Sequence, residues 1–395
     1  MTPPLDRGAQ RRAAPPILQN AFRPFFLGGA IWAAFQVPLW VAEYLGWLGP
    51  LAGEMGHAHE MLFGFLAAII CGFALTAIPN WTGRAPVAGR GLAVLFGLWL
   101  AGRVAMLAAG QSWGLWIDLA FLPLLTVIVV REIAVGRNWR NLPVAGLIAL
   151  FTLAHIAFHL PEWSIAAIRG TFAVALLLVA LIGGRIVPSF TRNWLAGRGD
   201  PAAKAVAPPM QGLDKAVLGV TAIALGAWIV LPMLPITGVL MVLAATAQLV
   251  RFLRWQWQRT LVEPLMWSLH AGYVWIVLAL AITGAGILWP GTISYEAGFH
   301  AIGTGVIGAM TLAVMTRASL GHTGRARVAD IATTLVFVLV HAGALLRVTA
   351  ALMSDQPVLL GISAVLWSAA YAVFTLAYAP MLWRARRQLR AVAAG

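Results

Sequence analysis

The 395-residue chain is 61% hydrophobic and only 10% charged, with a formal net charge of +14; soluble domains carry about a quarter charged residues. Membrane spans of about 20 residues each would use nearly the whole length, which excludes a separate soluble domain. The positive charge does not point to nucleic acid, because the basic residues sit in short loops between apolar runs, where they act as topological signals beside anionic headgroups.

The chain opens with a basic segment, 1–24, in which Arg11 and Arg12 are followed by Ala-Ala-Pro-Pro rather than by the apolar region of an export signal. Apolar runs then occupy 25–45, 57–78, 91–109, 113–133, 142–160 and 165–187. A Pro-, Gly- and charge-rich connection, 188–212, reads as a linker between two six-helix halves. Further runs follow over 213–231, 235–253, 265–288, 297–316, 331–353 and 358–382, and a basic tail, 384–395, closes the chain. The expected fold is all-α: a single twelve-helix polytopic membrane domain over 25–383. All 27 Lys and Arg except Arg103, Arg169 and Arg347 lie at the two termini or at the connections after even-numbered runs. By the positive-inside rule those connections and both termini are cytoplasmic.

An internal repeat runs with a period of about four helices. The second, sixth and tenth helices end in Thr-Ala-Ile-Pro-Asn-Trp-Thr-Gly-Arg (76–84), Val-Pro-Ser-Phe-Thr-Arg-Asn-Trp (187–194) and Thr-Arg-Ala-Ser-Leu-Gly-His-Thr-Gly-Arg (316–325). The third and eleventh share Gly-Arg-Val-Ala-Met-Leu (102–107) and Leu-Arg-Val-Thr-Ala-Ala-Leu-Met (346–353). Three four-helix units would explain this, as would chance in a low-diversity apolar alphabet.

Alternation gives each helix a direction, and hence each histidine a depth. His57, His59, His155, His159 and His300 fall in the outer half and His341 near the midplane; His270 lies toward the inner side and His322 in a cytoplasmic loop. Histidine in hydrocarbon is costly enough to need a partner. His155 and His159, at i and i+4, share a helix face about 6 Å apart along the axis, a spacing that chelates one ion. Imidazole suits copper, zinc or iron, and His57 lies at a depth to supply a third ligand. His57 and His59 are roughly 200° apart on a regular helix and should face different partners. A haem with two axial imidazoles needs one from each of two facing helices, and His57 or His59 with His300 meets the depth requirement. His341 joins them as a candidate cofactor ligand. The alternative for each histidine is a hydrogen bond at the wet interface.

Charged groups share this stratum. Glu60, Asp118 and Arg169 are candidates for hydrogen bonding to the ligands or for relaying protons. Arg103 and Arg347 either snorkel to the outer surface or neutralise haem propionates, with Asp118 as another possible ion-pair partner. Cys71 is the only cysteine, which excludes an intrachain disulfide and a cysteine-rich metal site. The absence of Cys-X-X-Cys-His makes any haem non-covalent.

Pro-Ile-Leu-Gln-Asn-Ala-Phe-Arg-Pro-Phe-Phe (16–26), His-Ala-His-Glu-Met-Leu-Phe-Gly-Phe (57–65), Pro-Asn-Trp-Thr-Gly (79–83), Pro-Ser-Phe-Thr-Arg-Asn-Trp (188–194) and the segment 310–325 together resemble the NnrS family of denitrification-associated membrane proteins. The resemblance implies a bacterial inner-membrane protein that binds haem b and copper and serves the response to nitric oxide and nitrosative stress. It implies no particular catalytic reaction and no electron donor. Haem-copper oxidases and nitric oxide reductases also have twelve helices, but their ligands on the sixth and seventh helices have no counterpart here, where those helices hold no histidine. The expected function is binding, sensing or detoxification of nitric oxide at an intramembrane metal site. The alternative is a secondary transporter of a metal or metal complex, suggested by Gly-interrupted helices such as 303–308 and by intramembrane charge.

Overall fold

A computed structural model describes residues 7–49, 53–109, 113–353 and 356–386, which include the inner parts of the expected segments 1–24 and 384–395 but not their ends. Among the described residues, helix dominates and no strand occurs. Among these residues, twelve helices are long and apolar enough to cross a membrane: α1 Phe22–Tyr44, α2 Met55–Thr82, α3 Arg90–Ala108, α4 Trp113–Val135, α5 Trp139–Phe158, α6 Pro161–Gly197, α7 Gly212–Val230, α8 Pro235–Leu253, α9 Pro264–Leu288, α10 Tyr295–His322, α11 Ile331–Leu352 and α12 Pro357–Trp383. The chain is a multi-pass membrane protein. Each span satisfies its backbone hydrogen bonds internally, the condition for crossing hydrocarbon.

Sequential spans pack side by side, and α12 packs against α1, closing the ring of helices. Near its centre, α6 meets α9 and α10. The two most buried spans are α2 and α10, with 72% and 67% of their apolar windows inside the protein. Peripheral spans turn large aliphatic side chains outward, among them Val94, Val127, Ile223 and Leu376, as expected of helices facing lipid. Exposed Trp47, Trp116, Trp163 and Trp289 stand at the ends away from the basic connections, the position of an interfacial aromatic belt.

Two features depart from a plain bundle. The span α6 runs ten residues past the predicted end, through Pro188 to Gly197, before a 3₁₀ turn at Pro201–Ala205. Part of the expected linker is therefore helix, because Pro188 follows a π-helical segment that has already rearranged the hydrogen-bond ladder one turn earlier. Such π segments occur in α2 (Glu60–Leu66), α6 (Val179–Gly183) and α10 (Ala301–Ala309), at every fourth span.

Candidate metal centre

The centre is built where α2, α3, α4 and α5 meet, at the end of the bundle away from the basic connections. His59 ends the regular first turns of α2, and Glu60 begins the π segment. Asp118 comes from the short helix Trp113–Leu119 that opens α4. Gly102 lets α3 approach it, since a Cβ there would lie 3.1 Å from the Asp118 Cα. The regular turns of α5 end at Phe158, so His155 projects from the last full turn and His159 caps it.

These elements bring His59, Asp118, His155 and His159 together, with one ligand atom from each lying within 4.8 Å of all the others. His59 Nδ1 donates to Glu60 Oε1 at 3.0 Å. His59 Nε2 lies 3.0 Å from Asp118 Oδ2 and 3.3 Å from His155 Nε2, and His155 Nε2 is 3.0 Å from the same Asp118 oxygen. Arg103, only 1% exposed, donates to Glu60 Oε2 at 2.7 Å and pairs with Asp118 Oδ1. Trp32 Nε1 donates to Glu60 Oε2 at 2.9 Å. A Cβ on Gly64 would meet Arg103 Nη1, Glu60 Oε2 and Trp32 Nε1, each at 2.9 Å; glycine at this position makes the network possible.

Lone pairs crowd the focus of the arrangement, on the side away from Arg103. Glu60 only accepts, so it places the His59 proton on Nδ1 and leaves Nε2 a lone pair. Asp118 Oδ2 also only accepts. One proton on His155 Nε2 can serve one of the three short contacts, which leaves lone pairs facing each other in a buried space. His155 Nδ1 is itself buried with no hydrogen-bond partner. Phe63 stacks on His155 at 4.3 Å and Phe158 lies 5.4 Å from His59, ring centre to ring centre, shielding the group from water. A metal ion resolves the conflict: with metal–nitrogen bonds of about 2.0 Å, neighbouring ligands of a tetrahedral site stand roughly 3.3 Å apart. The separations of 3.0 and 3.3 Å fit that edge. Charge agrees, because Glu60 and Asp118 against Arg103 leave one negative charge to neutralise.

The other predicted residues are placed elsewhere. His57 turns away from His59, as their angular separation requires, and stacks on Trp40 at 4.3 Å; the third imidazole beside His155 and His159 is His59, not His57. Arg347 Nη2 donates to His300 Nε2 at 2.5 Å, and Arg347 is also an electrostatic neighbour of His57. His57, His300 and Arg347 thus form a second group at the same end of the bundle. His341 Nδ1 accepts from Trp275 Nε1 at 3.0 Å, outside both groups. Arg169 donates to the Ile229 carbonyl oxygen at 3.4 Å and takes no part in the centre. Asp118, expected to support the ligands, stands among them. Sequence reasoning missed Trp32, Phe63 and Gly64; the last two lie inside the His-Ala-His-Glu-Met-Leu-Phe-Gly-Phe motif, so that motif carried the signal.

The sequence matches the NnrS protein family over residues 16–386. The chain belongs to that family. No curated protein matches it.

Proposed function

We propose that this member of the NnrS family holds copper at His59, His155 and His159, binds nitric oxide there, and so protects a bacterium against nitrosative stress from its inner membrane. One observation carries the reading: three imidazoles and a carboxylate converge, with ligand atoms within 4.8 Å of one another, in a buried space walled by aromatic rings. Three imidazoles suit copper, and the ion supplies a coordination position that a diatomic ligand can take. Nitric oxide is small, uncharged and membrane-soluble, so a site within the bilayer meets it directly.

The protein's own groups have separate tasks. Glu60 fixes the His59 tautomer and aims Nε2 at the ion. Asp118, anchored to Arg103 through Oδ1, would present Oδ2 to a bound ion. Phe63 and Phe158 exclude water. His57, His300 and Arg347 would be the candidates to hold the non-covalent haem b that the family resemblance implies: His57 Nδ1 is buried without a hydrogen-bond partner, His300 would have to exchange its contact with Arg347 for the iron, and Arg347 would then be free to meet a propionate.

The test is metal and haem content of the purified full-length protein. Copper should remain bound through purification and fall to background in His155→Ala/His159→Ala while the haem spectrum persists. His57→Ala or His300→Ala should instead change the reduced-minus-oxidised spectrum. Full copper retention in the folded double variant would sink the copper assignment. Copper that exchanges freely and accumulates in cells expressing the protein would favour transport.

A further inference from the structure

At the opposite end of the bundle, the inner ends of α2, α6 and α10 line most of an open cavity of about 600 Å³. Thr76 lines it, 17 residues along α2 from His59, or about 26 Å of helical rise. It is therefore a separate site. The three spans reach it at or beside the segments that repeat in the sequence, 76–84, 187–194 and 316–325; Arg185 comes from α6, Arg317 from α10 and Arg327 from the connection after α10, and His322 also lines the space. No Asp or Glu is among the described lining residues.

The cations are held without an anion. Arg317 stacks over Phe190 at 4.2 Å, and its Nη1 reaches only the Met266 sulfur, at 3.4 Å, a weak acceptor. Its Nε is buried with no hydrogen-bond partner. Glu263 is the acid nearest in charge, but its Oε1 accepts from the backbone N–H groups of Leu265 and Ala329. Arg185 reaches Asn141 Oδ1 at a long 3.4 Å. The hydroxyls of Thr76 and Ser189 are satisfied by the carbonyls of Gly72 and Arg185, so what the cavity offers a ligand is chiefly guanidinium. Apart from Asn80 and His322, the remaining wall is mostly apolar, with Phe73, Trp81, Ile182 and Val314.

We propose that this cavity binds an amphipathic anion from the side of the basic connections. Carboxylate or phosphate oxygens meet Arg185, Arg317 and Arg327, and the carbon body lies against the aromatic wall. Guanidinium forks match such oxygens in pairs, and the volume is that of an organic ligand rather than a bare inorganic ion. A soluble carboxylate and the headgroup of an anionic lipid share this chemistry.

The full-length protein in a neutral detergent is titrated calorimetrically with citrate and, separately, with dioctanoyl phosphatidic acid; choline is the cationic control. At least one anion should bind at about one equivalent, and choline should not. Arg317→Gln and Arg185→Gln should each weaken binding about tenfold or more, the loss of a charge-assisted hydrogen bond. Arg259→Gln, an exposed arginine away from the cavity, should leave it unchanged. Binding of citrate alone assigns a soluble anion, and binding of phosphatidic acid alone assigns a lipid. Ala77→Trp, which fills the cavity and keeps every charge, should abolish binding and so separates the site from general attraction. Absence of binding by both anions, or equal weakening in Arg259→Gln, overturns the proposal. Copper content should not change in any of these variants, so failure here is distinct from failure at the metal centre.

Discussion

Glu60→Gln is the sharpest test of the metal centre, because it alters the charge and hydrogen bonding of one carboxylate and almost none of its volume. Glu60 accepts from His59 Nδ1 at 3.0 Å through one oxygen, and from Arg103 and Trp32 at 2.7 and 2.9 Å through the other. A glutamine has one oxygen and one NH₂. If the NH₂ faces Arg103 and Trp32, donors meet donors and Arg103 keeps only Asp118. If it faces His59, the imidazole must move its proton to Nε2, which blocks the nitrogen aimed at the ion. Either outcome removes charge-assisted contacts that orient a ligand, and such losses weaken metal affinity by about 10–100-fold. Competition for Cu(I) against a chromogenic chelator, with the variant shown by size-exclusion chromatography to be folded, reads this directly. Unchanged copper affinity in folded Glu60→Gln would refute the account of how His59 is oriented.

The charge count at the centre predicts that its one excess negative charge favours Cu(I), so the protein as isolated should be silent in electron paramagnetic resonance; a full-intensity Cu(II) signal resistant to mild reductant would contradict it. In the other half of the molecule, Arg251 donates to Asp214 at 2.7 Å, to the Ala180 carbonyl at 2.8 Å and to the Tyr273 hydroxyl at 3.0 Å. Arg251→Met leaves Asp214 buried beside no cation and should cost about 3–5 kcal/mol, read as a lower midpoint of unfolding in detergent, with part of the loss recovered in Arg251→Met/Asp214→Asn. Reporters active only in the cytoplasm should work when fused after Arg84, Arg140, Arg198 or Arg259 and fail after Gly49 or Trp289; the reverse pattern would invert the topology.

Much of the fold was legible because a membrane leaves the chain few choices. Apolar length counts the spans, and the fraction of charge leaves no other compartment for them. The limits appeared where backbone irregularity matters. Pro188 reads as the end of a helix, yet α6 continues to Gly197, because a π segment upstream changes which carbonyls need a donor. A π-helix has no signature in hydrophobic periodicity, and the three among the described residues were invisible to it.

At the candidate site, depth and helical angle carried part of the argument and reached a definite limit. The i, i+4 spacing of His155 and His159 put them on one face, and the structure places both in the four-residue group. Depth alone could not choose between His57 and His59, which differ by about 3 Å of rise. Angle decides between them, and angle requires knowing which side of α2 faces α5. That information lay in the residues beside the histidines. A buried carboxylate next to His59 needs a cation and room to meet it. Arg103 supplies the charge, and Gly64, one turn farther along α2, supplies the room. Because Glu60, Gly64 and Arg103 satisfy one another only when they face the same space, His59 is drawn to that space with them, and His57 is left to stack on Trp40.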